Sequence, residues 1–306
     1  VSESPKFLDE HLNVNWLRPE TALWDAIAST AISQFEFLPP SLDLGSGNGI
    51  FSFITGGGAF SPEYDWYRNV NPDGFWDNRD IYDTFIEPPR RSWITREPAY
   101  RIDCALDAKR NLLKQAEALK FYDRVVVADA NLQLPFPDDS FETVFSNILY
   151  WLKSAEVSFR EIRRVLRSGG RCSLCLQDHK FKEYCISYRW RELNSEVLRL
   201  LNRGRSESSL WTISYDELIS LTKSLGFKVV AHTYYLSPLT LEAWDIGLRP
   251  LSPVLIKMIH KLSEADRLAI KLEWIETLRP FLNELYDMDK NSDRQGGYHF
   301  VCLEKT

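Results

Sequence analysis

The chain has 306 residues, of which 44% are hydrophobic, 26% charged and 13% aromatic, an ordinary globular composition with ample length for a buried core. Its formal charge of −6 and the lack of a long Lys/Arg block disfavour a phosphate backbone as partner. No apolar run is long enough to cross a bilayer, which excludes an integral membrane protein, and Val1-Ser2-Glu3-Ser4-Pro5 lacks the basic and apolar regions of a secretory signal.

Pro19 begins an N-terminal helix through Trp24, Ile27 and Ala31, preceded by Asn13-Val14-Asn15-Trp16-Leu17-Arg18. Short β-rich runs then alternate with helical segments, as in parallel α/β folds. The candidate strands are Leu42–Leu44, Tyr100–Cys104, Arg124–Ala128, Thr143–Asn147, Cys172–Gln177, Lys228–Tyr234 and Tyr298–Glu304. Leu112, Leu113, Ala116 and Leu119 repeat at helical spacing within Asp107–Leu119, as do Phe159, Ile162, Val165 and Leu166 before Gly169-Gly170. Ser214-Tyr215-Asp216-Glu217 predicts a capping box opening a helix that ends near Gly226. The expected fold is therefore α/β: a Rossmann-like, seven-stranded, mostly parallel sheet with helices on both faces, plus insertions. One domain spans 1–306. Within it, 1–40 is an N-terminal helical cover, 56–98 an aromatic and acidic insertion, and 178–211 a helical insertion. A second helical insertion, 238–297, precedes the last strand and carries Leu268, Leu272, Ile275 and Leu282 on one predicted face.

Five cysteines in a chain this long do not suggest a disulfide framework, and the expected compartment is the reducing cytoplasm. Cys172 and Cys175 have CxxC spacing, but on a strand residues i and i+3 point to opposite faces, so two core-lining cysteines are expected.

The segment richest in chemistry is Leu42-Asp43-Leu44-Gly45-Ser46-Gly47-Asn48-Gly49, a short strand running into a glycine-rich turn and a helix through Ile50, Phe51 and Ile54. Glycines let the backbone turn sharply and let a ligand approach without meeting a Cβ. The sixth position of a G-x-G-x-x-G reading is Ile50, which departs from the dinucleotide pattern. Asp43, two residues before the first glycine, is placed to meet the ammonium of a bound amino acid, a group that a dinucleotide lacks.

On these residues the chain resembles the class I S-adenosylmethionine-dependent methyltransferases. Asp43, Gly45, Ser46, Gly47, Asn48 and Gly49 look like the methionine-binding loop of that family. Tyr100-Arg101-Ile102-Asp103 looks like the end of its second strand, with Asp103, beside Cys104, as the ribose acid. Val127-Ala128-Asp129-Ala130 resembles the third-strand motif, in which Asp129 takes the adenine amino group and the Ala130 backbone N–H faces the ring. Leu134–Glu142 resembles the approach to strand four, Ser146-Asn147-Ile148-Leu149-Tyr150-Trp151-Leu152 its exit beneath the cofactor, and Leu166–Arg171 the turn into strand five. Asp43 and Asp103 are 60 positions apart, far more than the family places between these acids, and Trp151 stands where many relatives have a His.

The resemblance implies S-adenosyl-L-methionine as cofactor and methyl transfer to a small-molecule acceptor, most plausibly a hydroxyl of a saccharide, lipid-linked sugar or secondary metabolite. Alignment and exclusion of water supply much of the acceleration, and a base becomes useful for a hydroxyl of high pKa. His179, after strand five, is the candidate base, the alternative being a surface histidine; His232 reads as structural, and His260 and His299 show no partner in sequence. Arg18 is a candidate for the methionine carboxylate with Trp16 packed on it, against a capped helix with an exposed arginine. The aromatic stretch from Tyr64 to Asp83 reads as an acceptor lid or as a surface excursion packed by its own rings. Asp77, Asp80 and Asp83 share a helical spacing but lack a His or Cys, so no metal is expected. The oligomeric state is left open. The alternatives are a non-catalytic cofactor-binding or scaffold module and a nicotinamide-dependent oxidoreductase.

Overall fold

The computed structural model describes residues 5–71, 87–189, 195–201 and 211–306. Helices α1 (Leu8–Val14) and α2 (Pro19–Ile32) precede β1 (Ser41–Leu44) and α3 (Ile50–Thr55). A hairpin of β2 (Ala59–Phe60) and β3 (Ile94–Arg96) leads to β4 (Ile102–Asp107), α4 (Arg110–Ala118), β5 (Tyr122–Val127), β6 (Phe141–Ser146) and α5 (Ala155–Val165). After β7 (Leu166–Gln177) come α6 (Lys180–Tyr184), α7 (Ile186–Arg189), α8 (Ser195–Leu201), α9 (Tyr215–Ser224) and β8 (Phe227–Tyr235). The helices α10 (Pro238–Ile246), α11 (Ser252–Ile259) and α12 (Glu264–Lys290) separate β8 from β9 (Tyr298–Lys305).

Seven of these strands form one sheet in the order β5-β4-β1-β6-β7-β9-β8. β1 pairs in parallel with β4 and β6, while β9 runs antiparallel to both β7 and β8. The chain crosses from one half of the sheet to the other beside β1, and open α/β sheets bind ligands outside the carboxyl ends of the strands at such a switch point.

The sheet separates two cores. One holds Leu42, Val144, Phe159, Ile162 and Leu218; the other holds Phe53, Phe145 and Phe300 with α1, α2 and the C-terminal helices. Cys172 enters the first and Cys175 the second, both fully buried, as alternation along a strand requires. Among the described residues no helix is long and apolar enough to cross a membrane.

All seven expected strands of the main sheet form; most ends shift by one or two residues, and two strands move by three or more. The second continues to Asp107 because the apolar run Cys104-Ala105-Leu106 keeps pairing, with Leu44 against Leu106 on one side and Asp107 against Val127 on the other. The fifth begins at Leu166, directly after α5, and passes through Gly170, where a Cβ would lie 2.9 Å from the Arg167 carbonyl. The capping box of α9 is complete, with Ser214 and Glu217 bonded reciprocally. On α12, Ile275 and Leu282 are buried, whereas Leu272 faces solvent and its place inside is taken by Lys271. A buried lysine there is satisfied by the carbonyls of Pro62 (2.9 Å) and Tyr64 (2.7 Å).

Candidate functional site

The turn between β1 and α3 is built by three glycines in the left-handed region, Gly45 (φ 78°), Gly47 (φ 57°) and Gly49 (φ 74°). A Cβ on Gly45 would fall 2.0 Å from Ile148 Cγ1, and one on Gly49 would fall 2.7 Å from the Tyr122 ring. A Cβ on Gly47 would meet nothing within 4 Å, so the open side of the turn is there. Gly45 and Ser46 donate to the Leu106 carbonyl, and Gly47 donates to Asp107 Oδ2 (3.0 Å), which fastens the turn to the end of β4.

Over this turn lies a cavity of about 330 Å³, in the size range of small-molecule sites. Gly45, Gly47 and Asn48 form one side, Asp107, Ala108 and Lys109 a second, and Asp129, Ala130 and Asn131 a third. Leu106, Leu112, Ala128, Ile148, Trp151 and Leu152 supply apolar wall. Asp107 is half-buried; its Oδ1 accepts from Lys109 N (2.8 Å), and each carboxylate oxygen keeps a further acceptor site. Asp129 is exposed, and its Oδ1 accepts from Asn131 N (2.8 Å) and Nδ2 (2.9 Å). Ser46 Oγ is buried and has no hydrogen-bond partner among the described residues. Apolar walls for a flat base, two acids spaced along consecutive strand ends and an open glycine turn fit an adenosyl sulfonium with its amino-acid tail.

Several residues singled out in the sequence lie elsewhere. Asp103 is not at the cavity: its Oδ2 accepts from Ser41 N (2.7 Å) and Ser41 Oγ (2.8 Å), near the start of β1. Cys104 is fully buried within β4 in a hydrophobic core. The acid at the strand exit is Asp107, because β4 runs three residues past Cys104. Asp43 is 2% exposed and accepts from Ser52 Oγ and Tyr122 OH, both at 2.6 Å, so its carboxylate braces the turn from beneath rather than meeting an ammonium. Burial pushes that carboxyl up to about 6, against the two hydroxyl donors and with the help of the Asp107 charge. Gly49 is buried under Tyr122, and Asn147 is half-buried between Ser146 and Ile148; neither lines the cavity.

His179 is also outside. Its ring is exposed and spans Thr212 Oγ1 and Glu217 Oε2, each at 2.7 Å, which attaches it to the cap of α9 and leaves it unsuited to act as the base. His232 and His299 share a hydrogen bond (2.8 Å), and His299 Nε2 lies 2.9 Å from Asp178 Oδ2; His260 bonds the Tyr67 carbonyl. Trp16 is fully buried and donates to Asp65 Oδ1 (3.1 Å), so it packs in the core instead of on a ligand. Tyr64, Trp66 and Tyr67 are buried as well, so these three rings pack inward and form no lid, while Trp93 is half-buried. Asp77, Asp80 and Asp83 lie outside the described residues.

Arg18 caps α2 and does not line the cavity; its Nε is 4.0 Å from Glu20 Oε1. Its charge also acts on Asp25, two turns into α2, a residue to which the sequence reading gave no role. Asp25 Oδ2 accepts from Asn15 Nδ2 (3.1 Å) and lies 3.9 Å from His11 Nδ1. Burial pushes the Asp25 carboxyl up to about 7, while Arg18 and Asn15 pull it down. The Asp25 charge in turn reaches Tyr150, one residue before Trp151 of the cavity wall. Trp24 and Tyr150 both pack on Tyr298, at ring distances of 4.9 and 5.5 Å, which brings the second turn of α2 beside the exit of β6. One signal in the sequence marks Asp25: it is the sole charged residue between Glu20 and Glu36.

Residues 95–174 match the family described as a methyltransferase domain, a stretch that contains β4, β5, β6 and most of β7. No curated protein matches the chain. Among solved structures it is similar to an S-adenosylmethionine-dependent methyltransferase from Thermotoga maritima, at 13% identity, covering 99% of this chain and 97% of that one, with a TM-score of 0.47. A second, from Mesorhizobium loti, is similar at 14% identity, covering 91% and 96%, with a TM-score of 0.45.

Proposed function

We propose that the chain, whose residues 95–174 match a methyltransferase domain, is an S-adenosylmethionine-dependent methyltransferase that methylates a hydroxyl of a small molecule, a saccharide, lipid-linked sugar or secondary metabolite, with Asp25 as the base. The supporting observation is the position of Asp25: a carboxyl raised to about 7 by burial, on the helix that packs beside the exit of β6. A hydroxyl is a poor nucleophile with its proton in place, and a carboxylate poised near neutrality is suited to remove it.

In this reading Asp107 takes the ribose hydroxyls, Asp129 and the Ala130 N–H take the adenine edge, and the open face at Gly47 admits the methionine portion. Ser46 Oγ supplies a polar contact from within the turn. When bound, the sulfonium supplies an electrophilic methyl carbon. Asp25 would accept the hydroxyl proton as the acceptor oxygen takes up the methyl group. The N-terminal cover, residues 1–40, and the helices of 238–297 exclude water around this step. The insertions 56–98 and 178–211 belong to the same single domain.

Transfer of labelled methyl from the cofactor into a panel of free saccharides, glycolipids and hydroxylated metabolites tests the proposal. Label in an O-methyl product is expected. Label recovered only on amino nitrogen, or cofactor binding with no transfer to any class, counts against a hydroxyl acceptor.

A further inference from the structure

A second cavity, of about 320 Å³, lies between residues 62–68, 90 and 93 on one side and the first two turns of α12 on the other, and shares no residue with the cofactor cavity. Its lining carries four cationic side chains, Arg68, Arg90, Arg267 and Lys271, against three acids. The acids are largely committed. Glu264 pairs with Arg68, and Asp65 Oδ1 is taken by Trp16 Nε1 and Tyr67 N, both at 3.1 Å. Glu63, at the rim, is held below the usual carboxylate range by a hydrogen bond from Ser61.

Of the cations, Arg68 is paired with Glu264, Arg90 with Glu87 (3.4 Å) and Lys271 with two carbonyls, whereas Arg267 is left short. Arg267 is only 12% exposed, and its Nε and Nη1 are buried with no acceptor among the described residues. The nearest carboxylate oxygen, Asp65 Oδ2, stands 3.7 Å away, too far for a hydrogen bond. Leaving two guanidinium donors unbonded in a buried wall is costly, and an oxyanion, with several acceptor oxygens, is the group that would satisfy them. Lys271 is almost fully buried beside them, and burial pushes its amine down to about 8, against the charges of Asp65 and Glu63. At the mouth, the Arg90 guanidinium lies 4.9 Å from the centre of the Trp93 ring, an amphipathic edge for the rest of a ligand. The start of α12 adds the favourable end of a long helix.

We propose that this cavity binds a small molecule bearing a phosphate or carboxylate, its oxyanion on Arg267 and its body along Arg90 and Trp93. The site is shared by residues 62–68, 90 and 93 and the start of α12, so its ligand fastens these to each other. The proposal does not depend on the identity of the methyl acceptor.

Inorganic phosphate and glucuronate, each titrated against the full chain at constant ionic strength set with sodium chloride, separate the two oxyanions by differential scanning fluorimetry and calorimetry. A saturable rise in melting temperature with phosphate assigns a phosphoryl ligand, and one with glucuronate a carboxylate. Arg267→Gln is expected to weaken that binding at least tenfold, and Arg90→Gln, at the exposed mouth, severalfold. Cofactor affinity is expected to be unchanged in Arg90→Gln, which also serves if Arg267→Gln folds poorly. Absence of saturable binding by either anion, or equal affinity in wild type and Arg90→Gln with Arg267→Gln folded and equally tight, overturns the proposal.

Discussion

The carboxylate of Asp107 accepts the backbone N–H of Gly47 at 3.0 Å, so the exit of β4 and the glycine turn after β1 form one unit although an insertion separates them in sequence. The bond makes a distinction that can be measured. Asp107→Ala removes both the brace on the turn and the expected acceptor for the ribose hydroxyls. Hydrogen bonds to a charged group contribute about 1.5–3 kcal/mol, so cofactor affinity should fall roughly 10- to 100-fold. Asp103→Ala severs the bonds to Ser41 instead; calorimetry should find cofactor affinity unchanged and a lower melting temperature. The reverse pattern would restore Asp103 as the ribose acid.

The glycine turn separates stability from binding. Alanine at Gly45 combines a strained φ with a methyl 2.0 Å from Ile148 Cγ1, a clash that only displacement of the cavity wall relieves. Overpacking of this kind costs about 1–3 kcal/mol, in addition to about 1–2 kcal/mol for the left-handed backbone. Alanine at Gly47 carries only the backbone cost, because no atom lies within 4 Å of the added carbon. Gly45→Ala should therefore lower the melting temperature more than Gly47→Ala. Gly47→Ala should show the larger loss of cofactor affinity relative to its loss of stability, since its methyl points into the open side of the turn. Thermal melts with and without cofactor check both.

The glycine turn and the succession of seven strands along the chain were legible because each is local: an apolar run, a turn that needs positive φ. Asp103 was misplaced because the strand boundary was. Tyr100-Arg101-Ile102-Asp103 presents an acid after an apolar residue, but the run Cys104-Ala105-Leu106 continues the strand, and Asp107 directly before the helix beginning at Arg110 was the better signal. His179 was chosen for its position after β7, and nothing local reveals that Thr212 and Glu217, 33 and 38 residues later, claim its ring. Trp16 and Tyr67 were open to a ligand-facing or a packed reading; their rings meet at 6.4 Å in the core, and His260, nearly 200 residues further on, bonds the Tyr67 carbonyl. Asp25 is visible as the sole charge between Glu20 and Glu36, but its partners Asn15, His11 and Arg18 become meaningful only once α1 folds back on α2.

A histidine pair on the opposite side of the sheet sets an acid limit on stability. Burial, reinforced by the neighbouring His299, pushes His232 down to about 4. The folded state therefore binds that proton less readily than the unfolded chain, whose histidine titrates near 6.5. Stability from this group is present above pH 6.5 and is lost as pH falls toward 4. In His232→Gln the proton linkage is absent, so the difference in melting temperature between wild type and variant should shrink as pH is lowered from 6.5 to 4. A difference that stays constant across that range would show that His232 does not titrate with unfolding.

Asp25 has the opposite sign for stability and a direct consequence for rate. Its carboxyl is raised from 3.8 to about 7, so the folded state favours the protonated form; the stabilisation it contributes is present below pH 3.8 and is lost as pH rises through 7. Catalysis needs the other form, because only the carboxylate can take a proton from the acceptor. The rate of methyl transfer at saturating cofactor should thus rise with pH and level off above about 7, while stability declines over the same interval. Asp25→Asn keeps the size and the partners Asn15 and Arg18 but cannot accept the proton. It should lose about 10²- to 10⁴-fold in kcat, the range of general-base catalysis, and with it the rise near pH 7. Cofactor affinity should be unchanged, and the variant should melt higher than wild type at pH 8, where the wild-type carboxylate is buried and charged. A variant that turns over at the wild-type rate with the same pH profile would remove Asp25 from the chemistry, and a variant that loses cofactor binding would place it in the cradle instead.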